Sequence, residues 1–135
     1  MADKRKIAFQ GVPGAYSHMA CNTHAPNHIP LPCESISEMI AAVQNGNAEL
    51  AMVPVENSTA GRVADIHHLL PESGLYIIGE HYQPVHHKLL GLKGVRPEQI
   101  TEVHSHEQGL AQCRKSLRAH GLSLIHISEP TRPRL

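Results

Sequence analysis

Residues 49–61 read ELAMVPVENSTAG, an apolar segment followed by a carboxylate, an amide and two hydroxyls. The apolar part, 49–53, has the length and composition of a buried strand. The segment 63–70 that follows has apolar residues at helical spacing. We therefore predict that the polar cluster lies where a strand ends and a helix begins, with Ser58 or Thr59 as the N-cap of that helix. The N–H groups of such a helix start can bind a small anion.

The rest of the chain alternates short apolar segments with amphipathic ones. Strands are predicted at 6–10, 30–34, 49–53 and 100–104, and helices at about 15–25, 35–44, 63–70 and 108–119. Ser35 or Ser37 is the predicted cap of the helix at 35–44, with Glu38 completing a capping box behind Ser35. The apolar stripe of that helix consists of Ile36, Met39, Ile40 and Val43.

This alternation predicts an α/β fold with right-handed β-α-β units and a mainly parallel sheet with flanking helices. The extended runs 75–80 and 85–92 have no helix between them, as expected where a chain crosses between two lobes. In open parallel sheets, ligands bind at the carboxyl ends of the strands. Polar groups follow three such ends, at 11–17, 56–61 and 105–112, and their convergence predicts a cleft.

Composition excludes several classes of protein. Lysine plus arginine and aspartate plus glutamate both number 12 in 135 residues, so a net charge of zero gives no reason to expect nucleic-acid or membrane-surface binding. No run is long enough to cross a membrane. The three cysteines have no CxxC spacing, and residues 1–6 do not begin a signal peptide, so we expect reduced thiols in the cytoplasm.

Each candidate site residue has a functional and a structural interpretation. The turn with Gly11 and Gly14 either captures a carboxylate or simply connects a strand to a helix, since it lacks the Lys-Ser/Thr of a nucleotide loop. Glu56 and Asn57 are either a general acid and an orienting amide or ordinary helix-start residues. Ser105 is either a substrate contact or the N-cap of the last helix. The twelve histidines show no metal-ligand spacing, and no Ser-His-Asp set is present.

The last residues need separate treatment. Residues 122–132 read LSLIHISEPTR, and one permitted set of codons for them reproduces a transposon mosaic end and its sequencing adapter. The hypothesis is that the native reading frame stops near Gly121 and that 122–135 is a non-native tail. The alternative is a natural strand followed by a proline-rich tail.

Four segments, in order, resemble the catalytic domain of prephenate dehydratase. They are IAFQGVPGAYS at 7–17, VPVENSTAG at 53–61, HKLL at 87–90 and HSHEQGLAQC at 104–113. The resemblance covers residues 5–121 and implies a two-lobed fold like that of type II periplasmic binding proteins. The first lobe would span about 5–80, and an incomplete second lobe would begin at about 81–121.

The resemblance also implies a hydro-lyase activity. Prephenate would lose carbon dioxide and its ring hydroxyl together to give phenylpyruvate for phenylalanine synthesis, with no cofactor or metal. Family members usually carry a regulatory domain of the ACT type, so a full-length homo-oligomeric parent with phenylalanine as allosteric effector is expected.

Carried over by position, the resemblance assigns Glu56, Asn57, Ser105 and Gln112 to the reaction, and Gly14, Tyr16, Ser17, Ser58, Thr59, Gly61, His87 and Gln108 to substrate binding. The family's Thr-Arg-Phe motif, whose threonine is the favoured proton donor, has no counterpart outside the suspected tail. We therefore expect the 135-residue chain to be inactive. The alternatives are a non-catalytic small-anion-binding module of the same two-lobed fold, and a misassembled gene piece without a stable fold.

Overall fold

The computed structural model describes residues 5–58 and 61–126. The chain divides into two compact units, one formed by residues up to 57 with 61–85, the other by Ser58 with residues from 86 onward. Thr59 and the end of the suspected tail lie outside the described residues. Within the described residues, no helix combines the length and the apolar composition needed to cross a membrane.

The first unit is built on a three-stranded parallel sheet. The strands β1 (Lys6–Gln10), β2 (Ile29–Cys33) and β3 (Leu50–Met52) have the order β2-β1-β3. In the register, Ala8 lies opposite Leu31 of β2 and Ala51 of β3. Helices α1 (Tyr16–His24) and α2 (Ile36–Gln44) connect the strands, so the predicted α/β alternation with parallel pairing is confirmed.

Helix α2 forms the main core against this sheet. Ser35 Oγ accepts a hydrogen bond from the Glu38 N–H at 3.1 Å, as predicted. The Glu38 carboxylate accepts from the N–H of Glu34 at 2.7 Å, one residue earlier than in a capping box. The apolar stripe faces inward, with the side chains of Ile36, Met39 and Ile40 buried and that of Val43 packed against them.

The polar cluster does not lie at a strand-to-helix junction, and that prediction was wrong. Strand β4 (Glu56–Asn57) pairs antiparallel with β5 (Gly61–Arg62), and helix α3 (Ala64–Leu69) begins only after this hairpin. The N-cap of α3 is Val63, so neither Ser58 nor Thr59 occupies that position. Pro54 has no N–H to donate, which ends β3 and lets the chain turn away into the hairpin.

The second unit contains strands β6 (Glu102–Ser105) and β7 (Ser123–His126), which pair in parallel, and helix α4 (Glu107–Ala119) between them. A short 3-10 turn lies at Pro97–Gln99. The N-cap of α4 is His106, whose Nδ1 accepts from the Gln108 N–H at 3.3 Å, so the prediction of Ser105 as N-cap was wrong. Strand β7 begins inside the segment assigned to the tail, and the hypothesis of a non-native tail stays a prediction.

The segment 75–92 contains neither helix nor strand and exposes much of its apolar surface. Large apolar side chains there are more than four-fifths exposed at Tyr76, Tyr82, Leu90 and Leu92. This segment includes both extended runs predicted from the sequence, and the boundary between the two units falls within it.

All three cysteines are free thiols. Cys21 is fully buried against Ile7 and Phe9, and this burial raises the pKa of its thiol to about 11. Burial also raises the pKa of Cys33, with a smaller contribution from the negative charge of Glu38. A raised pKa lowers the thiolate fraction at neutral pH, so Cys21 and Cys33 are core residues of low reactivity.

We predict that Met39→Ala strongly destabilises the first unit. Met39 is completely buried at the centre of the α2 core, and truncation leaves a cavity in addition to the lost apolar contacts. The free energy of unfolding, measured with urea, should fall by about 2–5 kcal/mol. Met19→Ala, at a side chain 45% exposed on α1, is the matched control and should change it by less than about 0.5 kcal/mol. Equal effects of the two substitutions would contradict the described core.

Candidate functional site

The turn after β1 depends on two glycines. Gly11 and Gly14 have φ angles of +125° and +94°, which side chains with a Cβ rarely adopt. The Gly11 N–H donates to the carbonyl of Cys33 at the end of β2, at 3.0 Å. Because β1 is the central strand, this turn lies at the carboxyl edge of the sheet, where α/β proteins bind ligands.

Helix α1 begins directly after this turn. Its N-cap is Ala15, which supplies no side-chain hydrogen bond, and Tyr16 and Ser17 are its first two residues, both half-buried. The positive end of the helix dipole therefore lies at the carboxyl edge of β1, where it favours an anion. The Gly14 N–H donates to Nδ1 of His18 at 2.8 Å, a contact that the sequence analysis did not anticipate.

Glu56 and Asn57 lie in the chain that leaves the same edge of the sheet. Phe9 of β1 is in register with Met52 of β3, so the two parallel strands end side by side. Beyond Met52 the chain continues into the hairpin, where Glu56 is exposed and Asn57 half-buried. The structure thus places the glycine turn and the Glu56–Asn57 pair after neighbouring strands of one sheet. Ser58 is exposed, and Gly61 lies opposite Asn57 in the hairpin.

The second unit carries the other predicted residues. Ser105 is the last residue of β6 and is half-buried, while Gln108 and Gln112 lie one turn apart on α4. The Gln112 side-chain oxygen lies 2.6 Å from Nε2 of His87. Because an amide oxygen can only accept, this contact places a proton on Nε2 of His87. The structure therefore brings His87 and Gln112 together, as two of the residues predicted for substrate contact.

Gly109 is a residue of this region that sequence reasoning missed. A Cβ at this position would lie 3.2 Å from the hydroxyl oxygen of Ser105, closer than most such contacts. The glycine therefore leaves room for the Ser105 hydroxyl in the first turn of α4. The available signal was a glycine inside a predicted helix, which usually has a packing reason.

Two cavities in the first unit are lined by none of the predicted site residues. One, of about 140 Å³, is lined by Val55, Ile66, His67, Leu70, Pro71 and Ile77. The other, of about 330 Å³, is lined by Ser35, Ile36, Ser37, Asp65, His68 and Leu69. Within the described residues, no three histidine, cysteine or acidic side chains are grouped to hold a metal ion.

Parallel strands with flanking helices define an α/β protein, and polar side chains follow the carboxyl ends of strands in each of its two units. The sequence profile of the family described as prephenate dehydratase matches residues 7–131. The chain therefore belongs to the prephenate dehydratase family, and the resemblance drawn from its motifs is confirmed. Domains of this family have the periplasmic-binding-protein-like fold, so the predicted fold class is confirmed as well.

Individual relatives agree with this assignment. A Komagataeibacter europaeus protein named bifunctional N-acyl-homoserine lactone acylase/prephenate dehydratase is 51% identical over 125 residues, 93% of this chain and 44% of the relative. Arogenate dehydratase/prephenate dehydratase 6, chloroplastic, of Arabidopsis thaliana is 45% identical over 119 residues, 88% of this chain and 29% of the relative.

A solved structure titled "GqqA- a novel type of quorum quenching acylases" is 50% identical and superposes with a TM-score of 0.74. The match covers 91% of this chain and 45% of that one. The chain thus spans less than half the length of these relatives.

We predict that Gly109→Ala and Ser105→Ala are energetically coupled. Alanine is favoured over glycine in a helix by about 0.5–1 kcal/mol, but here the new methyl group would crowd the Ser105 hydroxyl. Gly109→Ala should therefore stabilise the chain in urea unfolding more in the Ser105→Ala background than in the wild type, by about 0.5 kcal/mol or more. Additive effects of the two substitutions would show that Gly109 does not accommodate Ser105.

Proposed function

We propose that this chain is part of a prephenate dehydratase, which converts prephenate to phenylpyruvate in phenylalanine biosynthesis. The observation that carries the proposal is the family match over residues 7–131, which includes every residue predicted for the site. In this reaction the ring carboxylate leaves as carbon dioxide, and the ring hydroxyl takes up a proton and leaves as water. The electron pair of the broken carbon–carbon bond enters the ring, and the pair of the broken carbon–oxygen bond leaves with the water. The ring becomes aromatic without any oxidant or reductant.

Aromatisation supplies the driving force, so the protein has two tasks. It must hold the two carboxylates of the substrate in one orientation, and it must provide a proton to the departing hydroxyl. The start of α1 is suited to bind one carboxylate, because its N-cap Ala15 supplies no side-chain hydrogen bond. Fixed hydrogen-bond donors of this kind stabilise the transition state without reorganising during the reaction.

The remaining predicted residues of each unit are given proposed roles of their own. We assign Glu56 and Asn57, in the β4 hairpin, to the wall of the substrate site, with Asn57 as an orienting amide. Gln112 holds the imidazole of His87 through the 2.6 Å hydrogen bond, which directs the Nε2 proton toward the amide oxygen. Ser105 offers a hydroxyl at the carboxyl end of β6, next to Gln108 at the start of α4. No step of this mechanism uses a metal or an organic cofactor.

The names of the plant relatives raise arogenate as a second substrate of the same chemistry. Arogenate carries an ammonium group where prephenate carries a keto group, and its ring undergoes the same loss of carbon dioxide and water. We propose prephenate as the preferred substrate. The name of the relative that is 51% identical includes prephenate dehydratase and does not mention arogenate. Comparing kcat/KM for the two substrates on one preparation tests this preference.

The purified 135-residue chain should not form phenylpyruvate from prephenate at neutral pH above the spontaneous rate. It lacks the Thr-Arg-Phe motif of the family, and with it the favoured proton donor. Phenylpyruvate is followed by its absorbance, with an enzyme-free sample as the control for spontaneous acid-catalysed loss. Turnover clearly above that control would contradict the prediction and show that the described residues suffice.

In the product of the gene expressed to its native stop codon, Asn57→Ala should lower kcat for prephenate by more than about tenfold. Asn57 is half-buried in the hairpin at the carboxyl edge of the sheet, where its amide can orient the substrate. The matched control is Asn47→Ala, at an exposed position after α2, which should leave kcat unchanged. An unchanged rate in Asn57→Ala would remove this residue from the mechanism.

Two other functions remain as candidates for the same chain. A non-catalytic anion-binding module would show a higher unfolding temperature with prephenate but no product in the completed protein.

Acylase activity is favoured by the names of both the 51% identical relative and the solved structure. It would appear as release of homoserine lactone from an N-acyl-homoserine lactone by the same preparation that is assayed with prephenate.

We further propose a cytoplasmic location, an oligomeric parent and the boundaries of the lobes. Its three free thiols suit a reducing cytoplasm, and a homo-oligomeric parent regulated by phenylalanine would follow the usual pattern of the family. The proposed lobes are about 5–80 and 81–121, with 122–135 as a non-native tail. Sequencing the genomic DNA beyond codon 121 would test the tail and show whether a Thr-Arg-Phe segment follows.

A further inference from the structure

His18 accepts a hydrogen bond from the turn that precedes its own helix. Its Nδ1 lies 2.8 Å from the backbone nitrogen of Gly14, and a backbone N–H can only donate. The Nδ1 atom is therefore the acceptor in this contact. His18 is the third residue of α1, so the bond closes the connection between the turn and the first helical turn.

A second contact fixes the orientation of the same ring. The His18 imidazole stacks on the ring of Phe9, with centroids 5.1 Å apart and an interplanar angle of 9°. Phe9 is 1% exposed and is the fourth residue of β1, and its own position is determined by the core. Stacking sets the plane of the imidazole, and the hydrogen bond sets its rotation within that plane.

Gly14 is the residue that most needs such a partner. With φ of +94° and no atom within 4 Å of the position of a Cβ, it is restrained neither by a side chain of its own nor by close neighbours there. A glycine loses more conformational freedom on ordering than any other residue. The hydrogen bond to His18 gives its peptide group a fixed acceptor in the first turn of α1.

We propose that His18 is a positioning residue that holds the turn 11–17 in the conformation that binds a substrate carboxylate. This inference rests on the proposed function, because it assigns the carboxylate of prephenate to this turn. His18 acts through the backbone of Gly14 and not by contact with the substrate. The geometry also means that the Gly14 N–H is engaged with His18, so the carboxylate is bound by the start of α1 and not by that group.

Two substitutions separate the contributions of the ring and of its nitrogen. His18→Phe keeps an aromatic ring that can stack on Phe9 but removes the acceptor. His18→Asn removes the ring but keeps an acceptor oxygen near the position of Nδ1. The matched control is His68→Asn, at an exposed side chain on α3. Amide spectra of the three variants report whether each remains folded.

The first measurement is nuclear magnetic resonance on the ¹⁵N-labelled 135-residue chain. A scalar coupling between the Gly14 nitrogen and Nδ1 of His18 is expected, because it is transmitted only through an N–H···N hydrogen bond.

The second measurement is a prephenate titration that follows the amide signals of residues 11–17. The dissociation constant should rise about two- to tenfold in His18→Phe, as for loss of one neutral hydrogen bond. It should stay within about twofold in His18→Asn and His68→Asn.

The outcomes distinguish this inference from the function on which it rests. Absence of the coupling in the folded chain, or an unchanged dissociation constant in His18→Phe, would overturn the role of His18 alone. Absence of any prephenate-induced shift in the wild type, with the coupling present, would instead overturn the assignment of the substrate carboxylate to this turn. A coupling together with weaker binding in His18→Phe and rescue in His18→Asn would establish the positioning role.

Discussion

The parallel pairing of β1 with both of its neighbours is the constraint on which the first unit depends. Ile7, Ala8 and Phe9 are all at most 2% exposed, because β2 and β3 cover both edges of β1 while α1 and α2 cover its faces. The central position of β1 fixes where its carboxyl end lies, and therefore where the glycine turn and α1 begin. Pro30 and Pro32 are compatible with this arrangement only because β2 is at the edge of the sheet.

Elements whose order depends on local patterns could be predicted from the sequence. Strand 6–10 and helix α2 follow from a short apolar run and from a stripe of period 3.6, and both were found where expected. The hairpin at 56–62 could not be predicted in this way, because each of its strands has only two residues and no periodicity. The helical spacing at 63–70 was real, but the prediction of Ser58 or Thr59 as its N-cap ignored the β-branched Val63, which favours extended backbone.

The residues of the candidate site were predicted from family motifs, while their contacts were not. Gly14 with His18, and Ser105 with Gly109, are pairs four residues apart across a strand-to-helix connection. Such contacts depend on the φ angle of a glycine or on the rotamer of a side chain, which no sequence pattern specifies. Gly14 supplies a hydrogen-bond donor in the first unit, and Gly109 leaves room for a hydroxyl in the second. Both glycines therefore act through their backbone or through the absence of a side chain.

The three longer helices begin in different ways, and the difference bears on the site. Ser35 caps α2 and His106 caps α4 with side-chain hydrogen bonds, whereas the N-cap of α1, Ala15, has none. A side-chain cap satisfies N–H groups that would otherwise seek another acceptor. The start of α1, placed after the central strand, has no such side-chain cap, and the proposed function assigns an anionic acceptor to its dipole. The carboxylate of a small dianion is an acceptor of this kind, which links the constraint on β1 to the chemistry proposed for the family site.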